Sequence, residues 1–219
     1  MSEELSAGIR RLPVYLVLDV SGSMAGEPIE ALRMGIRGLL SDLQSDPQAM
    51  ETVWMSVITF ESNAHQVVPL TEIGNFVEPN LSATGGTNFG DGLELLLSCV
   101  QSEVRKTTPT QKGDWKPLVF IMTDGQPQGG WEAAADKVKA ARLGNVIGCA
   151  AGPGADETVL KRVTETVLRL QDTSSGTLGA FLNWVSASIS ATSTSVSAQG
   201  DAPVNIPPPP ADQGIVIIP

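Results

Sequence analysis

The sequence predicts an α/β fold: a doubly wound, mostly parallel sheet with one antiparallel edge strand and helices on both faces. Three observations carry this expectation. Stretches such as "VYLVLD" and "LVFIM" are apolar at successive positions, as strands covered on both faces are. These runs alternate along the chain with segments whose apolar residues recur at helical spacing, and that alternation means crossovers and a parallel sheet. Two of the runs end in an Asp, at residues 19 and 124. In an open α/β sheet, ligands bind beyond the carboxyl ends of the strands.

Residues 1–10 read as a short polar arm. Leu12–Asp19 is the first strand. Ile29, Leu32, Ile36, Leu39, Leu40 and Leu43 then follow helical spacing, with Pro28 in the first turn and "DP" at 46–47 closing the helix. "TVWMSVITF" (52–60) and "AHQVVPL" (64–70) are two strands joined by "ESN", which predicts an antiparallel hairpin. Residues 71–88 form a loop containing "LSATGGTN". Phe89, Leu93, Leu96, Leu97, Val100 and Val104 mark the second helix. "KPLVFIMTDG" (116–125) holds the next doubly buried strand. A helix around Trp131, Ala134, Ala135 and Val138, the strand "NVIGCAAG", a short helix over 157–162 and an edge strand "TVLRL" (166–170) follow. Leu178, Phe181, Leu182, Val185 and Ile189 make the last helix. From about residue 192 the composition turns to Ser, Thr and Ala, and then to "VNIPPPPADQGIVIIP". The expected organisation is an arm (1–10), one domain (11–198) and a Pro-rich tail (199–219). The apolar "GIVIIP" should dock on the domain or on a partner.

Composition narrows the function. The chain has 219 residues, 42% of them hydrophobic, enough for one good core. Its formal charge of -10 argues against nucleic acid and anionic membranes as partners. Cys99 and Cys149 lie in apolar segments and read as buried reduced thiols, not as a disulfide or a zinc site. The single His65 argues against a His-rich metal site and against most His-based acid–base catalysis. The apolar run after Arg10 and Arg11 is short, contains Pro13 and ends in Asp19, which is not a signal sequence. No run reaches the roughly 20 apolar residues of a membrane span. A soluble, cytoplasmic protein is expected.

The chemistry concentrates at one rim. Asp19, Ser21 and Ser23 lie at the end of the first strand, Asp124 ends "VFIMTD", and Thr87 opens the helix after "ATGG". None of these five is a nitrogen or sulfur donor. Hard oxygen ligands with few full charges suit Mg²⁺, with Ca²⁺ or Mn²⁺ as alternatives. Gly22, Gly85, Gly86 and Gly125 would let the backbone turn closely around an ion. The protein alone would leave a coordination position open to an outside carboxylate. Other readings compete. Asp19 to Ser23 could cap the following helix, although a cap needs one oxygen and not three. Thr84 is a rival to Thr87. A phosphohydrolase with Asp19 as nucleophile normally wants a second Asp two residues on, and position 21 is Ser. A serine hydrolase wants G-x-S-x-G, and the first Gly is missing before Ser21. The phosphate loop G-x-x-x-x-G-K-[ST] is absent.

Asp-x-Ser-x-Ser at 19–23, a Thr in a later loop and Asp-Gly after a buried strand resemble the metal-ion-dependent adhesion site of von Willebrand factor A domains. The resemblance covers roughly residues 10–190 and implies a Rossmann-like fold. It places the Thr after the glycines, at Thr87, and so implies Asp19, Ser21, Ser23, Thr87 and Asp124 as metal ligands. It implies a non-catalytic module that binds a partner protein through that partner's Asp or Glu, with Met24, Glu27, Gly86, Asn88 and Gln126 around the contact. "RRLPVYLVLDVSGSM", "GGTNFGDGLELL" and "KPLVFIMTDGQP" are most similar to the bacterial tellurium-resistance, TerY-like branch. That branch implies a stress-response setting with a protein kinase and a PP2C-type phosphatase as companions. An internal ligand from the tail, at Asp201, Asp212 or the C-terminal carboxylate, is a further expectation.

Overall fold

A computed structural model describes residues 10–199 and 206–218. Most of the polar arm, Asp201 and the C-terminal carboxylate lie outside the described residues. Seven strands form one sheet: β1 (Leu12–Asp19), β2 (Val53–Phe60), β3 (Ala64–Glu72), β4 (Leu118–Thr123), β5 (Asn145–Ala151), β6 (Thr166–Leu170) and β7 (Ile215–Ile218). Their order across the sheet is β3-β2-β1-β4-β5-β6-β7. β2, β1, β4, β5 and β6 run parallel, and β3 and β7 are antiparallel to their neighbours. The helices are α1 (Glu27–Ser45), α2 (Pro47–Thr52), α3 (Phe89–Glu103), α4 (Glu132–Ala141), α5 (Glu157–Val163) and α6 (Ser175–Gln199).

All eight residues of β1 are buried, which is why the strand reads as unbroken apolar sequence. Leu12, Val14, Leu16 and Leu18 enter one core with Leu32, Ile36 and Leu39 of α1 and Phe181, Val185 and Ile189 of α6. Tyr15 and Val17 point to the other face, against Phe89, Leu93 and Leu96 of α3, Val138 of α4 and Leu160 of α5. Alternate residues of one central strand thus serve two cores, the requirement of a doubly wound sheet. On the first face α1 and α6 pack closely because Gly35 has no side chain: a Cβ there would run into Leu182. Among the described residues no helix is long and apolar enough to cross a membrane.

The two cysteines are free and buried. Burial pushes the Cys99 thiol up to about 11, helped by the nearby Glu103 carboxylate.

Three elements differ from the sequence expectation. "DP" at 46–47 ends α1 but also starts α2, because the Asp46 side chain accepts from the Gln48 and Ala49 amides and Pro47 fills the first helical position. α6 continues to Gln199, through the Ser/Thr-rich stretch. There Ser188 donates to the Trp184 carbonyl and Thr192 to the Ser188 carbonyl, so buried hydroxyls find partners inside the helix. Finally, 166–170 is not an edge. The "GIVIIP" stretch supplies β7, which pairs with β6 from Val167↔Ile218 to Leu170↔Ile215 and makes the sheet mixed at both ends. Five consecutive prolines and apolar residues before it, 206–210, concealed a return to the sheet; the Trp184 indole fixes that return by donating to the Pro207 carbonyl at 2.9 Å.

The α1–α6 contact yields a prediction. Gly35→Val should overpack this interface and cost about 1–3 kcal/mol. For a protein of this size, thermal denaturation should show a melting temperature lower by roughly 2–10 °C.

Candidate functional site

Parallel register brings the oxygens together. β1 pairs with β4 from Val14↔Leu118 to Leu18↔Met122, so Asp19 stands level with Thr123 and next to Asp124. Asp19 is completely buried. Its Oδ1 accepts from the Ser21 amide at 2.9 Å and its Oδ2 from the Thr123 hydroxyl at 2.6 Å. The chain then turns through a single 3₁₀ turn, Gly22–Met24, before α1 begins. Ser21 and Ser23 stand with their Oγ atoms 3.0 Å apart, and Ser23 donates to Asp124 Oδ1 at 2.8 Å. Ser21, Ser23 and Asp124 therefore form one string of side-chain oxygens, anchored at its base by Asp19.

The capping reading is overturned. The residue before α1 is Gly26, with φ of 88°, and no side chain caps that helix. Nor does the Ser21 side chain cap the 3₁₀ turn. The three oxygens of "DVSGS" face one another and not the helix amides.

Thr87 comes in from the loop before α3. That loop is sewn to the β1 end by backbone hydrogen bonds: Thr84 N donates to the Val20 carbonyl at 2.9 Å and Gly22 N to the Gly85 carbonyl at 3.1 Å. Gly85 has φ of +69°, a conformation that favours glycine. Ser62 holds the next residue, its Oγ accepting from the Gly86 amide at 3.0 Å. Asn88 caps α3 by accepting from the Asp91 amide. These ties leave Thr84 exposed and Thr87 buried. The Thr87 hydroxyl faces Gly125, 3.8 Å from where a Cβ would stand there.

Of the residues expected around the contact, Met24 is ruled out by burial, whereas Glu27 is exposed. Met24 is fully buried in the core and cannot contact a partner, because the 3₁₀ turn directs it inward. Glu27 sits in the first turn of α1, where its carboxylate accepts from the Ser175 amide at 3.3 Å and links the starts of α1 and α6. Gln126 is exposed at the rim, while Gly86 and Asn88 are partly exposed. Asp212 lies in the turn Ala211–Gln213 leading into β7, three strands away from β4. His65 is exposed on β3, opposite Thr59. Sequence reasoning missed Thr123, which orients Asp19. Its only sequence signal was a hydroxyl directly before Asp-Gly.

The electrostatics are those of a site short of positive charge. Burial raises the Asp19 carboxyl above its usual value, against hydrogen bonds from Ser21 and Thr123, and the nearby Asp124 adds to the rise. Burial also raises Asp124, against the hydrogen bond from Ser23. Among the described residues no three His, Cys, Asp or Glu side chains gather to hold a metal. Any ion here must use hydroxyls beside two carboxylates. The spacing suits that role. Oxygens at adjacent corners of a Mg²⁺ octahedron, roughly 2.0–2.1 Å from the ion, stand about 2.9 Å apart. Ser21–Ser23 at 3.0 Å and Ser23–Asp124 at 2.8 Å have that separation.

Comparisons with known proteins agree on the fold. The family described as von Willebrand factor type A domain matches residues 14–178. An uncharacterized protein of Synechocystis sp. is 33% identical over 144 residues, 63% of this chain and 30% of that protein. Proximal thread matrix protein 1 from the mussel byssus is 21% identical with a TM-score of 0.60, over 83% of this chain and 48% of that chain. A second structure of the same mussel protein, with a zinc-occupied MIDAS motif, gives 0.56 at 19% identity over the same shares. The PilB minor pilin from Streptococcus sanguinis gives 0.64 at 16% identity, over 88% of this chain and 64% of that chain. At these identities the structural likeness speaks to the fold alone.

The raised carboxyls give a signed prediction. In metal-free protein, folding favours the protonated form of Asp19, so stability falls as pH rises from the ordinary carboxylate range through the raised folded value. Asp19→Asn lacks that loss, and the Thr123 hydroxyl can turn to accept from the new amide. Scanning fluorimetry in chelator should show the variant gaining on the wild type between about pH 4 and pH 7.

Proposed function

This chain belongs to the von Willebrand factor type A domain family, and from that premise we propose that it is a non-catalytic, Mg²⁺-dependent protein-binding module. Asp19, Ser21, Ser23, Thr87 and Asp124 hold the ion in this reading, Asp19 and Asp124 directly or through water, and a partner protein supplies an Asp or Glu. The observation that carries it is the convergence of the Ser21, Ser23 and Asp124 oxygens in one hydrogen-bonded string beside the buried Asp19, with no nitrogen or sulfur donor among them. When bound, the ion would offer an electrophilic position to an incoming carboxylate. Asp19 and Asp124 would balance its charge, and Thr123 fixes the orientation of Asp19. The partner would approach over Gly86, Asn88 and Gln126. Beside them lies an open groove of about 500 Å³ lined by Ser62, Asn88, Asp91, Glu94 and Gln128.

The phosphohydrolase reading fares worse. A nucleophilic Asp19 needs a free oxygen facing substrate, whereas this carboxylate is fully buried and both its oxygens accept hydrogen bonds from the chain. Mg²⁺ is put first because hydroxyl oxygens with few full charges suit it, and Ca²⁺ remains an alternative for the titration. Mn²⁺ takes the same oxygen donors, and the zinc in the mussel protein's motif makes Zn²⁺ worth including in a titration.

The binding unit is residues 11–198, with an arm before it and a C-terminal extension after it. Its setting, a cytoplasmic bacterial tellurium-resistance or stress-response system with a protein kinase and a PP2C-type phosphatase, is also part of the proposal. That placement rests on the resemblance of the three sequence stretches quoted above. The named relative is much longer than this chain and uncharacterized, so partners must be found directly.

Calorimetric titration with Mg²⁺ and retention of proteins from a bacterial lysate test this reading together. Replacing an outer partner of a metal ligand usually costs about 10–100-fold in affinity, so Thr123→Val should weaken Mg²⁺ by that much. Ser23→Ala and Thr87→Ala should cost at least as much, and Asp19→Ala should abolish binding. Proteins retained in Mg²⁺ should elute with chelator and fail to bind Asp19→Ala. Partner binding indifferent to chelator and to Asp19→Ala would sink the metal bridge.

A further inference from the structure

Most of the oxygens proposed for the metal follow directly from strand ends. Asp19 ends β1, Ser21 and Ser23 come just after it, and Asp124 follows β4. Thr87 does not. It lies near the end of residues 76–88, a stretch with neither helix nor strand. The backbone ties to the β1 end reach Thr84 and Gly85, short of Thr87 itself. A different element sets the last step.

The two amides that flank Thr87 in sequence both donate to the tip of the β2–β3 hairpin. Gly86 N donates to Ser62 Oγ at 3.0 Å, and Asn88 N to the Glu61 carbonyl at 2.6 Å. Asn88 Nδ2 adds a longer bond to the Ser62 carbonyl, at 3.4 Å. From another side the Gln128 amide donates to the Thr87 carbonyl at 2.9 Å. The approach is so close that side chains would not fit at 85 and 86. A Cβ on Gly85 would run into Glu61 and Ser62, and one on Gly86 into Gln128. The hairpin tip is itself placed by strand register, because Phe60 pairs with Asp19. Hydrogen bonds from the Ser62 amide and hydroxyl hold the Glu61 carboxyl below its usual value. With its hydrogen turned to Glu61, the Ser62 hydroxyl keeps a lone pair for the Gly86 amide.

We infer that Ser62 is a positioning residue of the metal site, acting through Thr87. The inference rests on the metal-binding reading above. The bond to the Ser62 hydroxyl can be removed without touching the backbone, and without touching the cap that Asn88 makes on α3. Without it, residues 86–88 gain freedom in the metal-free chain, and an ion would have to order them on binding. Affinity then falls although every ligand is still present.

Calorimetric titration with Mg²⁺ on the full chain tests this. Ser62 is exposed, so Ser62→Ala should keep its circular dichroism and melting temperature. Its Mg²⁺ affinity should fall about 3–10-fold, the loss that one hydrogen bond's net contribution gives. Asn63→Ala, also exposed at the tip, should bind like the wild type. A double-mutant cycle separates positioning from a general loosening of the fold. Once Thr87→Ala has removed the hydroxyl, adding Ser62→Ala should cost less than about twofold more. In metal-free protein, hydrogen exchange at the Gly86 amide should quicken in Ser62→Ala. Equal affinity of the wild type and Ser62→Ala, the same loss in both backgrounds, or unchanged exchange at Gly86 overturns the role of Ser62. If Thr87→Ala still weakens Mg²⁺ in that case, the metal reading stands without it. A wild type that takes up no Mg²⁺ removes the metal reading and this role together.

Discussion

The pairing of β1 with β4 is the constraint on which the rest depends. It fixes Asp19 beside Thr123 and Asp124, residues more than a hundred positions apart, with no loop needing to find its own way. The register is enforced from both faces, since a slip of one residue in β1 would exchange its two sets of core side chains. The loops of the rim then follow. Val20 donates to the Phe60 carbonyl, Thr84 to the Val20 carbonyl and Gly22 to the Gly85 carbonyl, so each loop is a short extension of a strand end already placed. The site is a property of the sheet, and its precision is the precision of the strand register.

That arrangement carries a cost that also explains its use. Burial raises both carboxyls, and the Ser21 hydroxyl is held out of water against Ser23. Natural chains concentrate such locally unfavourable groups where function needs them. Under the proposed reading, a divalent cation would offset the repulsion between Asp19 and Asp124. On that reading, metal binding would be coupled to folding stability through these same groups.

The fold was largely legible because its signals are redundant. β1 and β4 are apolar on both faces, and α1 and α3 keep strict helical spacing, so composition and period point the same way. What sequence could not reach was whatever lacked such a period. β7 is four residues behind a run of prolines, and nothing local says whether an apolar tail docks at an edge, on a helix or elsewhere. α2 is a single capped turn or two, too short for periodicity to register. At the rim, the five oxygens could be named from their places at strand ends, but their mutual distances could not. Thr123 was invisible as a positioning residue because a Thr in a buried strand is ordinary. Met24 was misjudged for a related reason: proximity in sequence to Ser23 says nothing about which way a 3₁₀ turn directs the next side chain.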